Sequence, residues 1–284
     1  MSREQVTRVI LYTAFALVAF AFNSILCRLA LKADEIDAVG FTVVRLVSGA
    51  VTLLAINYFF NKTKEGRGNW TSAFFLFAYA ICFSLAYIDL TTGTGALILF
   101  SAVQLTMILT GLFRGERPGM LEWLGLLLAL GGLIWLVFPG LAAPPIFSSL
   151  LMAAAGIAWG IFTLRGRGSK NAVAEMSGNF LRSVPMIAIA ALPFIYQIKI
   201  SANGALFAVL SGAVASGVGY SVWYSVLKYH TATRAAILQL AVPMLAAFGG
   251  VVILSETVSM RLILASALIL CGIGLAVMGR KRVA

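Results

Sequence analysis

Arg45 and Arg182 lie within long runs of uncharged apolar residues, 137 positions apart. A guanidinium stays charged and carries five N–H donors in a fixed fork. In apolar surroundings it can bond loop carbonyls, snorkel to a headgroup or hold a carboxylate. Two readings of the pair therefore stand: interfacial anchoring, or related charges that flank two gates or steer a carboxylate. Glu116 and Glu256, 140 positions apart, each precede an apolar run, in Gly115-Glu116-Arg117-Pro118 and Ser255-Glu256-Thr257. A carboxylate at a helix N-terminus is stabilised by the macrodipole, and Pro118 suits a first helical turn. Both acids read first as structural caps, with gating as the alternative.

Aromatic and amide side chains also recur at helical spacing. Tyr79, Phe83 and Tyr87 share one helix face at four-residue steps, and Tyr220, Trp223 and Tyr224 gather in a later run. Asn23, Gln104, Trp159 and Gln239 lie within other runs. An amide at that depth cannot reach water through lipid, so it must face protein or an aqueous cavity. Singly, each could be interhelical glue. Converging from several runs, they predict a binding pocket: rings to stack on an apolar substrate, amides and hydroxyls for its amino and carboxylate groups. Nothing points to catalysis. There is no HExxH, no GxSxG, no phosphate-cradling loop and no aspartyl pair in an apolar run. The expectation is a protein that is no enzyme and needs no metal or cofactor. Asp89, Glu122 and Glu175 sit at run ends, and no carboxylate lies deep in one. That predicts movement down a gradient or exchange, rather than coupling to an ion bound by an intramembrane acid.

The elements that must position these residues are membrane helices. Hydrophobic residues make up 61% of the 284, charged residues 11%, and mean hydropathy is +0.98, far from a soluble balance. Ten spans are expected, at 9–27, 39–60, 71–88, 93–113, 121–138, 146–164, 176–198, 203–227, 235–254 and 262–279. Placing the N-terminus in the cytoplasm puts 15 of the 21 Lys and Arg residues in inner segments and 4 in outer ones, so both termini are expected inside. The net charge of +11 is then a matter of loops beside anionic lipid headgroups and not of nucleic acid. Residues 1–21 have the outline of a signal peptide, but they belong to the repeat and are expected to stay. Cys27, Cys82 and Cys271 are scattered without CxxC spacing and read as packing residues.

The repeat is visible directly. Phe83-Ser84-Leu85-Ala86-Tyr87 matches Tyr220-Ser221-Val222-Trp223-Tyr224 at a shift of 137, which also pairs Phe22 with Trp159, Arg28 with Arg165 and Arg45 with Arg182. Two halves are expected, 1–143 and 144–284, with five spans each. An odd number of crossings inverts the second half relative to the first, and substrate would sit between them near the midplane.

With a basic residue in the second span and a Glu after the fourth span of each half, the chain resembles the EamA-type branch of the drug/metabolite transporter superfamily. Gly93-Thr94-Gly95-Ala96-Leu97-Ile98-Leu99-Phe100-Ser101-Ala102-Val103-Gln104 and the stretch around Gly217, Gly219 and Pro243 carry the likeness. The first half, including Tyr87 and Gln104, is similar to the YddG-type aromatic amino-acid exporters. The resemblance implies a central cavity with broad amino-acid and drug-like specificity and outward flux across a bacterial inner membrane. Membrane lipids and a small-molecule substrate are the partners expected; a monomer suffices for the plan, and the sequence leaves the oligomeric state open. Rival readings are export of a nucleotide sugar or cationic drug, a lipid-modifying protein and a membrane scaffold. A nucleotide would require several deep basic residues and a cation an acidic cage, and the chain supplies two and none.

Overall fold

The computed structural model describes residues 3–60, 68–113, 119–138, 140, 143–166, 169, 171–227, 229 and 238–279. Over these residues the chain is helical, without strands; the one extended contact is an isolated bridge between Ile36 and Ile200. The helices are α1 (Arg3–Lys32), α2 (Ala38–Phe60), α3 (Trp70–Ala86), α4 (Thr92–Phe113), α5 (Met120–Val137), α6 (Ile146–Gly166) and α7 (Ala172–Ala191). They are followed by α8, which runs as Ala202–Val209, a π-helical stretch Leu210–Val218 and Gly219–Leu227, then by α9 (Ala241–Leu254) and α10 (Met260–Gly279).

Local chemistry sets the ends. The side chains of Asn69, Asn171 and Ser201 accept from the N–H groups of Ser72, Ala174 and Gly204, closing the first turns of α3, α7 and α8. Asp37 does the same for α2, accepting from Val39 and Gly40 through Oδ1. Hydroxyls within helices donate to the carbonyl four residues back, as Thr42 does to Ala38 at 2.7 Å and Ser101 to Leu97 at 2.6 Å. A polar residue can thus sit in an apolar setting without an open donor. Of three prolines in the later apolar runs, Pro185, Pro193 and Pro243, two end or start helices and do not kink them. Pro193 lies in a 3₁₀ turn that ends α7, and Pro243 lies in the first turn of α9, where its missing N–H has no intrahelical use. Pro185 alone of the three is inside a helix.

Among the described residues six helices are long and apolar enough to cross a membrane: α1, α2, α4, α5, α6 and α8. Shorter apolar helices are α3, α9 and the Met260–Ala276 part of α10, whereas α7, which carries Glu175 and Arg182, meets neither description. Most of the basic residues counted toward inner loops lie outside the described residues.

The packing repeats as the sequence does. α2 packs on α7, α4 on α9 and α5 on α10, each against its repeat partner. The contacts of α3 and α4 with α6 are matched by those of α8 and α9 with α1, and α3 on α7 is matched by α8 on α2. Exchanging the halves thus maps the main helix contacts onto one another. α5 and α10 form an outlying pair whose axes approach through Gly125, Gly132 and Gly272. A methyl group at Gly125 would collide with the backbone of Gly272 and Ala276. Their other faces present exposed Leu127, Ile134, Ile263 and Leu264, as lipid-facing helices do.

Candidate functional site

The centre of the bundle is organised by one phenol. The Tyr79 hydroxyl on α3 accepts from Asn23 Nδ2 on α1 at 3.1 Å and from Arg45 Nη2 on α2 at 2.9 Å. Asn23 also accepts through Oδ1 from Ser211 Oγ on α8 at 2.5 Å, so the network spans both halves. Asn23, Arg45, Tyr79 and Ser211 are all buried.

Around this network the rings form a continuous layer. Trp159 on α6 lies between Tyr79 (4.9 Å between centroids) and Tyr220 (4.8 Å), and stacks on Phe162 at 5.4 Å. Tyr220 meets Phe20 at 5.6 Å, and Tyr79 meets Phe83 at 5.5 Å. Between these rings is a cavity of about 20 Å³. The first half lines it with Phe20, Asn23 and Ser24 of α1, Tyr79 and Phe83 of α3, and Leu99 and Phe100 of α4; the second contributes Trp159 and Tyr220. That volume admits a water or two, against the roughly 300–1,000 Å³ of small-molecule sites. The amino-acid-sized chamber expected from sequence is therefore not open in this conformation. The reason is that the rings stack on one another across the space a guest would take.

Arg45 does not snorkel. It is 2% exposed, with its guanidinium over the faces of Phe83 (4.9 Å) and Tyr79 (5.1 Å) and its Nη2 3.5 Å from Ser216 Oγ. Tyr79 and Ser216, the two hydroxyl partners, are themselves 137 residues apart and so occupy matching places in the two halves. Arg182 behaves differently: it is half-buried and donates from Nη1 to Gly178 O on its own helix at 2.9 Å. The repeat therefore places two arginines but brings one to the centre.

The π-helical stretch of α8 explains how Ser211 and Ser216 both reach this network. Five residues apart, they would diverge by about 140° on an α-helix, whereas the wider π turn brings them toward one face. Gly212 and Gly217 let the same stretch lie against α2, touching Ser48, the Arg45 carbonyl and Thr52. In the sequence this stretch is the run Ser211-Gly212-Ala213-Val214-Ala215-Ser216-Gly217, whose small residues alone do not reveal the polar face.

One end of the bundle is tied by charge. Arg28 Nε meets Glu256 Oε1 at 3.4 Å, with the side chains 13% and 8% exposed, and Arg28 Nη1 donates to the carbonyls of Tyr87 (2.9 Å) and Ile88 (2.6 Å). Glu256 Oε2 accepts from Thr92 N at 2.8 Å. Glu256 is thus a cap, but of α4 in the other half; α10 is capped by Ser259, whose Oγ accepts from Leu262 N at 3.1 Å. At the same end Glu35 bonds Ser201, Asp37 accepts from Lys199 N and Asp89 accepts from Ser148 Oγ, all links from first half to second. At the opposite end Arg165, the repeat partner of Arg28, donates to Ser72 Oγ (3.1 Å) and Asn69 Oδ1 (3.2 Å) at the start of α3. Arg28 was counted by sequence as a loop charge, and its pairing across 228 positions left no local signal.

Of the nine residues proposed from sequence to line a pocket, Asn23, Tyr79, Trp159 and Tyr220 meet at the cavity. Tyr87 caps α3, packs its ring on Gly95 and Phe83 and donates to Thr92 O at 3.3 Å. Trp223 is buried behind Phe20, 5.8 Å away, and the Tyr224 hydroxyl approaches Gly166 at the end of α6. Gln239 is half-buried just before α9 and is not a lining residue. Gln104 is buried one turn beyond Phe100, with its Nε2 lacking a partner. Glu116 lies outside the described residues. Because an unpaired buried donor costs about 1–3 kcal/mol, Gln104→Leu is expected to raise the thermal midpoint of the purified protein by a few degrees. A lowered midpoint would mean that the amide is satisfied.

The family model for EamA-like transporters matches residues 7–138 and again 146–278. The chain belongs to the EamA-like transporter family. Among its relatives is an uncharacterized protein of Pseudomonas aeruginosa, 49% identical over 269 residues and covering 94% of each chain. An uncharacterized transporter of Archaeoglobus fulgidus is 27% identical over 212 residues, 72% of this chain and 74% of that one. An uncharacterized transporter of Bacillus subtilis is 22% identical over 255 residues, 84% and 87% of the two. A solved crystal structure superposes with a TM-score of 0.67 over 95% of this chain and 98% of its own at 18% identity, which shows a shared fold. As a family member this is a multi-pass membrane protein of the transporter class, and the two matched segments are its two repeats.

Proposed function

We propose that the protein is a secondary carrier exporting amino acids with aromatic or large apolar side chains across a bacterial inner membrane. Its ten helices cross as two inverted sets of five, residues 1–143 and 144–284, with both termini cytoplasmic. The observation that carries this reading is the central cavity, where Asn23 and Tyr79 from one half face Trp159 and Tyr220 from the other. Rings on both sides suit an aromatic or aliphatic side chain, and the amide and hydroxyls suit its polar end. Transport proceeds by alternating access: the halves part at one end while the other stays tied, and the stacked rings separate to admit the solute. In this cycle the Arg28–Glu256 tie closes the outer end.

The test is flux from proteoliposomes loaded with labelled amino acids. Phenylalanine, tryptophan and leucine are expected to leave at least tenfold faster than from protein-free vesicles, and serine and lysine at the vesicle rate. Flux of phenylalanine is expected to be insensitive to an imposed proton gradient, since no acid is among the described residues that line the cavity. Equal flux of serine and phenylalanine, or uphill movement driven by protons, would overturn the corresponding part of the reading.

A further inference from the structure

We propose that Arg45 is the anchor for a carboxylate on the transported solute, so that the carrier selects organic acids and zwitterions over cations and neutral amides. This rests on the carrier reading above, and it names the chemical group the site demands. The guanidinium is almost wholly buried in the middle of the bundle, where an uncompensated charge is heavily penalised. Yet the ion pairs among the described residues are Arg28–Glu256 and Lys199–Asp34, and neither involves it. Its partners are neutral: the hydroxyls of Tyr79 and Ser216 and the faces of Tyr79 and Phe83. Nη1 has no hydrogen-bond partner among the described residues. A guanidinium with neutral contacts on one side and an open donor on the other is prepared to receive an anion.

Its place makes the anion a solute. Tyr79 and Phe83, the two rings under the cation, line the central cavity, so the charge stands one ring away from it. These are among the rings that must part to admit a guest, and parting them brings the guest to the open donor. A purely packing role explains the site less well, because the matching arginine of the second half, Arg182, is half-buried and bonded to its own helix. Duplication alone did not bury Arg45. Among the described residues no acid lines the cavity, so a cation entering it would meet a like charge and no counterion there.

The experiment measures dissociation constants of detergent-purified protein by calorimetry for matched pairs: phenylalanine and phenylalaninamide, leucine and leucinamide, benzoate and benzamide. Wild-type protein is expected to bind the acid at least tenfold more tightly in the pairs it recognises. Arg45→Gln is expected to erase that preference by weakening the acid and sparing the amide, and Arg45→Lys to keep part of it. Equal weakening of both members in Arg45→Gln assigns a structural role and overturns the proposal. So does the lack of any acid preference in wild-type protein, which decides alone if the variant does not accumulate. An acid preference confined to the benzoate pair would instead sink the amino-acid substrate class and leave this inference standing.

Discussion

Phenylalanine flux through Trp159→Ala protein is expected to fall by roughly 30- to 100-fold at equal protein density in the vesicles. Trp159 joins the halves across the cavity through Tyr79 and also packs on Tyr220 and Phe162, at 4.8–5.4 Å. Aromatic pairs contribute about 0.5–1.5 kcal/mol each beyond burial, so losing two such contacts to a bound substrate, each in the upper half of that range, removes about 2–3 kcal/mol. At 1.4 kcal/mol per tenfold this gives the stated range. Trp159→Phe keeps a ring and is expected to recover flux to within about tenfold of wild type. Gln239→Ala, away from the cavity, should stay within about twofold. Flux of the alanine variant within threefold of wild type would remove Trp159 from the substrate path.

Opening of the tied end in Glu256→Gln should be seen as faster thiol labelling of Cys27. Cys27 neighbours Arg28, is fully buried and has a free thiol, so it reports directly on that end once Cys82 and Cys271 are replaced by serine. Removing one partner of a buried ion pair costs about 3–5 kcal/mol because the other charge is left behind. If about 3 kcal/mol of this falls on the closed state, its population shifts about 100-fold, and maleimide labelling should quicken by an order of magnitude or more. A double variant with Arg28→Gln should label no faster than the single one, since the two residues act as one unit. Labelling at the wild-type rate in Glu256→Gln would show that the pair does not hold this end shut.

Much of the architecture was legible because lipid makes hydropathy decisive. A helix such as α4 or α6 must be apolar over its length, and it reads so. The repeat shift of 137 was likewise open to inspection, and with it the recurrence of Arg45 at 182. Amides at depth led correctly to Asn23 as a residue facing protein, and four-residue spacing led to Tyr79. Spacing could not separate Tyr79 from Tyr87, which share a face but differ in depth: one is in the middle of α3 and the other ends it. The π-helical stretch was hidden for a different reason. Its Gly-Ser sequence fits an ordinary small-residue seam, and only contact with α2 and Asn23 selects the wider turn. Arg28 was hidden because its partner comes from the far end of the chain.

The unequal fates of Arg45 and Arg182 bear on kinetics. If the halves were chemically identical, a solute would meet the same half-saturation constant from either compartment. With one guanidinium central and the other bonded to its own helix, the two orientations of the proposed carrier are not related by symmetry, and those constants are expected to differ. If no free energy enters the proposed cycle, the maximal velocities must differ in the same ratio, and net movement still stops when the concentrations on the two sides are equal.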